Sequence, residues 1–478
     1  MHRLTRLIQE DMKPALGVTE PGAIALAVSK AVQDVPGEIK TVSVRMNSGM
    51  LKNAWTCGIP NSTQFGVLYA AALGAVAGKP EKGLFCLEDV SACDNEKAGA
   101  LVKAGKISCS MTEISSRIFI EAAVQTETGT ASVQIQDSHT NVVREVRNGE
   151  VLFSKTNIDA KSDTQIDTRT ESKQNRTQET VSKTAVKRVP EMKMAAGEGI
   201  DAEIHSYTLQ ELWDYAISVP LEELTFLEQA HEMNFRLCEA GAASERTTFS
   251  HFLYKKNGGA YFSKEEQRTS ELLCGAAIEA RVLGLPLPAM SVTGSGAHGI
   301  LATMPLYAAY RVHGYTKEKL LRATALSCLV CMYIKEYSGK LSAFCGCAIA
   351  AGCGAACGLT LLSGFGEDAL ALAIRNIASS ITGMICDGGN QGCVLKGITA
   401  ADAAYEAAEL AKAGIAVDAI HGINGESPEE TMQNMGRIAS PGMVHTEQTI
   451  LDIVQEKENA ARKMQSHTQC AKKHACCG

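Results

Sequence analysis

The chain is short of aromatic side chains, has no excess of basic charge, and shows no secretory leader; each shortage excludes a class of protein. Phe, Trp and Tyr make up 5% of its 478 residues, so the core must be built mainly from smaller side chains. Lys and Arg number 46 against 53 Asp and Glu, a formal charge of −7 with a pI near 5.9. That balance argues against nucleic acid or an anionic membrane as the main partner. The start, Met1-His2-Arg3-Leu4-Thr5-Arg6, leads into a charged amphipathic segment with no apolar stretch and small-residue cleavage site. No secretory signal is read, and a cytoplasmic protein is expected.

Long apolar runs are also missing, with one exception. Residues 341–362, LSAFCGCAIAAGCGAACGLTLL, are uncharged for about the length of a bilayer crossing. They are rich in Gly, Ala and Cys and poor in Leu, Ile and Phe, so their insertion energy is weak. The stretch reads as a helix buried in a bundle, and no membrane partner is expected. What the chain does have is cysteine: 17 of them. In a reducing compartment these are thiols, most of them small buried hydrophobes. The count still raises the case for a metal or cluster site.

The patterning predicts an α+β chain, mixed in its first part and mostly helical after it. Residues 1–35 read as helix interrupted at Pro14, with Thr19 placed to cap and Pro21 pre-set in the first turn. KTVSVRMN (40–47) alternates as a strand, Asn47-Ser48-Gly49 reads as a turn, and 64–78 and 92–105 read as helices. RIFIEAAVQTE, ASVQIQDSHT and EVRNGEVLFS read as three strands. Residues 154–188 carry almost no apolar side chains and read as a mobile loop. The expected divisions are an N-terminal subdomain at 1–153, a polar insert at 154–200, a helical catalytic part at 201–463 and a cysteine-bearing tail at 464–478.

Three motifs can carry chemistry. In Cys386-Asp387-Gly388-Gly389-Asn390-Gln391-Gly392-Cys393 two thiols bracket a glycine loop. Such a loop can wrap an anionic cluster with its amides, or it can be two buried cysteines beside a turn; the spacing does not separate these. Cys345-Gly346-Cys347 opens the small-residue helix, without the paired arrangement usual for zinc. In Met290-Ser291-Val292-Thr293-Gly294-Ser295-Gly296-Ala297-His298-Gly299 the glycines match G-x-G-x-x-G. The region reads as helical, so a helix N-terminus offering amides to a carboxylate is preferred to a dinucleotide site.

GVTEPGAIALA (17–27), Lys52-Asn53 with Pro60, Asp137-Ser138-His139-Thr140-Asn141, MSVTGSGAHG (290–299), KLSAFC (340–345) and GMICDGGNQGCVLK (383–396) occur in one order. In these motifs the chain resembles the L-cysteine desulfidases of the serine dehydratase alpha-chain superfamily, over nearly all its length outside the insert and tail. The resemblance implies a [4Fe-4S] cluster on Cys345, Cys386 and Cys393, with Cys345 rather than Cys347 in the L-S-A-x-C context. Three ligands leave one iron open as a Lewis acid toward the carboxylate and β-group of a small amino acid. Elimination of H2S from L-cysteine would give aminoacrylate, then pyruvate and ammonia; PLP is not implied. Lys52, Asn53, His139, Thr140, Asn141, Gly294, Ser295 and Gly296 match the family's substrate-binding elements, and a homodimer is compatible with its shared site.

Two positions depart from the family. The usual Gly-Cys-Thr-Glu-Pro cysteine, proposed as the catalytic base, is Val18 here, and the usual Gly-Ser-Gly-Asn-Gln-Gly carries Ala297-His298 in its middle. We hypothesise that His298, an imidazole suited to general-base work, takes part of the missing thiol's role; full kcat in His298→Ala would end that idea. The resemblance also raises back-ligation of the open iron by Cys476 or Cys477. L-Serine as substrate, a non-catalytic redox-sensing cluster protein, and a zinc-stabilised binding protein are the other readings.

Overall fold

A computed structural model describes residues 1–155 and 202–457. The expected polar insert beyond its first two residues, and the cysteine-bearing tail with the back-ligation read into it, lie outside the described residues. The fold is α+β. Its strands are β1 (Lys13–Leu16), β2 (Ile39–Met46), β3 (Ile107–Met111), β4 (Phe119–Thr126), β5 (Thr130–Gln136), β6 (Val142–Arg147), β7 (Glu150–Ser154) and, far along the chain, β8 (Pro288–Ser291).

Alternation makes the larger sheet. Ile120, Ala122 and Val124 of β4 and Ala131, Val133 and Ile135 of β5 are buried on one face, as period-two strands require. The sheet runs β3-β2-β4-β5-β6-β7, antiparallel except for β2 with β3. Its apolar face packs on the helix Thr19–Asp34, which in turn packs on the helix Val67–Ala77. At that crossing a Cβ on Gly74 would come within 2.7 Å of the Ala25 Cα, so only glycine lets the backbones meet.

Several local expectations are corrected. Asn47-Ser48-Gly49 is no turn: Ser48–Ala54 is helical, and a Cβ on Gly49 would lie 2.5 Å from that of Leu341, so packing rather than turn propensity selects the glycine. Thr19 does not cap its helix; Val18 is the N-cap and the Thr19 hydroxyl donates to Glu20 Oε2 at 3.0 Å. EVRNGEVLFS contributes to two paired strands, not one. A strand does precede the 293–299 motif, but β8 pairs antiparallel with β1 in a two-stranded sheet. No βαβ unit forms there, and a dinucleotide fingerprint gains nothing.

The second core is helical. At its centre lies the helix Gly346–Leu362, whose residues are buried except for a partly covered Leu361. This is the buried helix that the 341–362 composition predicts. A Cβ on Gly354 would meet the Ser327 carbonyl at 2.2 Å, so the small residues let the helix Lys317–Ser338 close onto it. Among the described residues no helix is long and apolar enough to cross a membrane. Leu4, Ile8 and Met12 also belong to this core. The β1–β8 ladder carries the 17–20 segment to the start of the helix Gly296–His313, and Asp11 accepts from Thr293 N–H at 2.6 Å.

Candidate active site

One cavity is walled by both parts of the molecule. Its lining is of two kinds: the thiols Cys345, Cys347, Cys386 and Cys393 with Gly388 and Gly389, and the polar or charged Glu20, Asn53, His139, Arg281, His298 and Lys335.

The thiol wall is assembled by backbone. Cys386 N–H donates to the Ala343 carbonyl at 2.6 Å and Cys345 N–H to that of Met384 at 3.0 Å, which ties the two cysteine loops together. Cys345 is the N-cap residue of the central helix, and Cys393 lies in the first turn of the helix Gly392–Lys412. Gly388 has φ 111°, and a Cβ there would lie 2.5 Å from the Lys52 carbonyl. The loop can therefore close only as glycine. Lys396 pairs with Asp387 on its outer side. Burial pushes the Cys393 thiol up to about 12, with Cys386 and Cys345 adding to it. Cys345 is held far above the ordinary thiol range by the Cys347 sulfur, 3.4 Å away, and by burial. Any metal must displace these protons.

The polar wall is a set of buried ions. The Glu20 carboxylate accepts from Asn53 Nδ2 at 2.9 Å and lies 3.9 Å from His139 Nε2. Burial works to raise Glu20, but His139, Arg281 and the Asn53 amide outweigh it and hold the carboxyl below its usual value. Burial pushes His139 down against the pull of Glu20, with Arg281 adding to the depression. A guanidinium does not give up its charge, so it favours carboxylate with neutral imidazole over the reverse. Lys335 is buried and pushed down to about 8 by that burial; its Nζ donates to the Gly339 carbonyl at 2.7 Å.

His298 is oriented by Thr293, whose φ of 51° places a β-branched residue in the left-handed region. The Thr293 hydroxyl donates to the Val292 carbonyl at 2.8 Å and therefore accepts from His298 Nδ1 at 2.5 Å. That network assigns the proton to Nδ1 and leaves Nε2 as a lone pair beside Gly346, whose Cβ would lie 2.7 Å from it. Burial, then Lys335 and Arg281, keep His298 well below the ordinary imidazole value.

Of the residues picked out by sequence, Cys345, Cys386, Cys393, Asn53, His139, Gly294, Ser295 and His298 line this cavity. Gly296 lies behind it against Arg281. Lys52 is buried, but its Nζ points to Glu447 Oε2 at 2.6 Å and the Ser342 carbonyl at 3.1 Å. Thr140 is exposed and Asn141 braces the turn through the Gln136 carbonyl at 3.0 Å. Sequence reasoning passed over Arg281, Lys335 and Cys57. Arg281 had one signal, a charge beside Glu279 in the otherwise apolar LLCGAAIEARVLG run. Cys57 is buried, and a Cβ on Gly389 would lie 3.3 Å from the Cys57 Cβ and 3.4 Å from Val18 Cγ1. A thiol thus stands beside the valine that departs from the family motif.

Among the described residues no three His, Cys, Asp or Glu side chains converge closely enough for a single metal ion. The four thiols Cys345, Cys347, Cys386 and Cys393 give the cavity a soft donor set.

The family model for the serine dehydratase alpha chain matches residues 81–452. A UPF0597 protein of Clostridium botulinum is 37% identical over 454 residues, covering 95% of this chain and 98% of the relative. UPF0597 proteins of Caldanaerobacter subterraneus and Bacteroides fragilis are 34% and 32% identical, each over 95% of this chain and 98% of the relative.

Proposed function

The chain belongs to the serine dehydratase alpha-chain family, which supports a serine dehydratase-like lyase, and from that premise we propose that it eliminates H2S from L-cysteine to give pyruvate and ammonia. The observation that carries the reading is the one cavity lined both by Cys345, Cys386 and Cys393 and by a neutral imidazole and buried ions. Those three cysteines would hold a [4Fe-4S] cluster. The cradle fits such a group in its all-sulfur donor set, and glycines 388 and 389 let its loop close against the Lys52 and Asn53 carbonyls. Bound there, the cluster supplies a Lewis acid for the leaving group.

The protein's own residues supply the rest. His298 Nε2, kept neutral by burial and held by Thr293 through Nδ1, takes the α-proton. The Cα–H electrons form the Cα–Cβ double bond as the β-sulfur leaves with the Cβ–S pair as HS⁻, which takes the proton back from His298 to give H2S. The aminoacrylate that remains tautomerises and takes up water, yielding pyruvate and ammonia. The burial of His298 limits water around the base.

The motif order shared with L-cysteine desulfidases favours cysteine, while the family's name favours L-serine, which would lose water by the same steps. Anaerobic purification with iron analysis, followed by pyruvate assays on both amino acids, tests the proposal. About four irons per chain and faster pyruvate release from cysteine are expected. A full cluster with pyruvate from neither substrate would leave the redox-sensor reading, for which the absence of a thiol at Val18 speaks.

A further inference from the structure

One buried cation that lines the cavity has no hydrogen-bond or ion-pair partner among the described residues. The helix Glu266–Val282 carries three buried ionic side chains, of which Glu279 and Arg281 stand two residues apart. Glu279 is fully buried, and its carboxylate accepts from the backbone N–H groups of Thr248 at 3.0 Å, Phe249 at 3.2 Å and Ser250 at 2.7 Å. Those amides start the helix Phe249–Lys256, so the anion is neutralised where it sits. Arg281, 4% exposed, makes no hydrogen bond or ion pair among the described residues, and its Nε is buried without a partner. The other cations on the cavity wall are engaged: Lys335 on the Gly339 carbonyl, and Lys340 on Glu336 at 2.7 Å. A buried guanidinium without an acceptor is unfavourable unless a ligand completes it.

Its surroundings select an anion. A Cβ on Gly296 would lie 2.7 Å from Arg281 Nε, so the guanidinium rests on the first turn of the helix Gly296–His313. Ser295 is the N-cap but its side chain does not cap, and the first helical hydrogen bond runs from Gly299 N–H to the Ser295 carbonyl at 3.2 Å. The amides of Gly296, Ala297 and His298 thus have no acceptor within the helix. Glu20, 5% exposed, lines the same cavity, held by Asn53 and Thr19 and making no ion pair with Arg281.

We propose that Arg281 and Glu20 are the two poles of a receptor for the zwitterionic backbone of an α-amino acid. The guanidinium and the helix amides take the α-carboxylate, and Glu20 takes the α-ammonium. The carboxylate has lone pairs enough to serve the guanidinium and a metal together. The substrate class is therefore free amino acids, with amines, N-acylated amino acids and internal peptide residues excluded. This inference rests on the reading of the cavity as the substrate site of an amino-acid lyase.

The test is equilibrium binding, by calorimetry on the full chain before and after iron–sulfur reconstitution. L-Alanine keeps both charged groups and has no leaving group; ethylamine lacks the carboxylate and propionate lacks the ammonium. Wild type is expected to bind L-alanine at least roughly tenfold more tightly than either fragment. Arg281→Lys, which keeps the charge and loses the planar fork, is expected to weaken L-alanine about tenfold or more and to raise the KM for elimination more than it lowers kcat. Glu20→Gln should weaken L-alanine but not propionate. Equal affinity of wild type for L-alanine and ethylamine, or unchanged L-alanine affinity in a folded Arg281→Lys, overturns the receptor. Pyruvate release reports separately on the lyase reading, so either idea can fall without the other.

Discussion

The two walls of the cavity face the same space but are built in different ways. On the thiol wall, Cys386 and Cys393 share one loop, and two backbone hydrogen bonds join it to the Cys345 loop. On the polar wall, Glu20, His139 and the Arg281–His298 region come from three stretches of chain, brought together by the β1–β8 ladder and by the β5–β6 turn. Soft donors can be positioned by short-range backbone geometry. Buried ions need a whole fold around them to exclude water and supply counter-charges. Damage to the first wall should therefore be local and complete, and damage to the second graded.

The sharpest break in that comparison removes a thiol. Cys345→Ala, Cys386→Ala and Cys393→Ala are each expected to abolish cluster retention and pyruvate formation together, as read by iron content and a lactate-dehydrogenase-coupled assay. Cys347→Ala should keep both, although its sulfur lies 3.4 Å from that of Cys345. Loss of iron in Cys347→Ala with retention in Cys345→Ala would reverse the ligand assignment.

The same contrast explains what sequence could and could not reveal. Cys386, Cys393 and the glycines between them are adjacent in the chain, so their loop is legible from spacing, as is the Gly-Ala-Cys helix after Cys345. The sheet strands β4 and β5 are legible from their alternation. Arg281 is not, because whether a charge two residues after Glu279 is buried and unpaired depends on which helix terminus covers its neighbour. The Ser48–Ala54 helix reads as a turn because the contact that demands Gly49 comes from Leu341, nearly three hundred residues away. The four-residue β8 is too short to carry a period; its partner β1 defines it.

On the polar wall, His298→Ala is expected to lower kcat by about 10²–10⁴-fold while iron content stays unchanged. The sign of its pH dependence follows from the depressed imidazole. Burial, Lys335 and Arg281 hold the folded value well below 6.5, so the base form is lost only as pH falls through that lower value. The acid limb of kcat/KM should thus lie below the ordinary imidazole range, and kcat/KM should remain flat as pH falls through 6.5. A limb near 6.5 itself would indicate an exposed imidazole and a different base.

Lys52 sharpens the boundary between the walls. Its ammonium and Glu447 form a pair 1% and 5% exposed, at 2.6 Å, and the same Nζ holds the Ser342 carbonyl ahead of Cys345. Removing one partner strands a buried charge, so Lys52→Met should cost about 3–5 kcal/mol in chemical denaturation. The double variant Lys52→Met/Glu447→Met should recover much of that. Unchanged stability with a raised KM would instead make Lys52 a direct substrate ligand.

The smallest effect tests whether the walls are mechanically joined. The helix Gly346–Leu362 starts at Cys345 on the thiol wall and packs on the helix Lys317–Ser338, which carries Lys335 of the polar wall. They approach closely at Gly354, where an added Cβ would meet the Ser327 carbonyl at 2.2 Å. Gly354→Ala must therefore push the two helices apart, at a cost of about 1–3 kcal/mol in unfolding free energy. Because Cys345 is fixed by its own hydrogen bond to Met384, iron content should hold, whereas the packing of Lys335 and His298 near Gly346 should loosen and raise KM modestly. Iron loss in Gly354→Ala at retained fold would show that the thiol wall depends on the helix pair as much as the polar wall does, and the proposed division between local and distributed construction would fail.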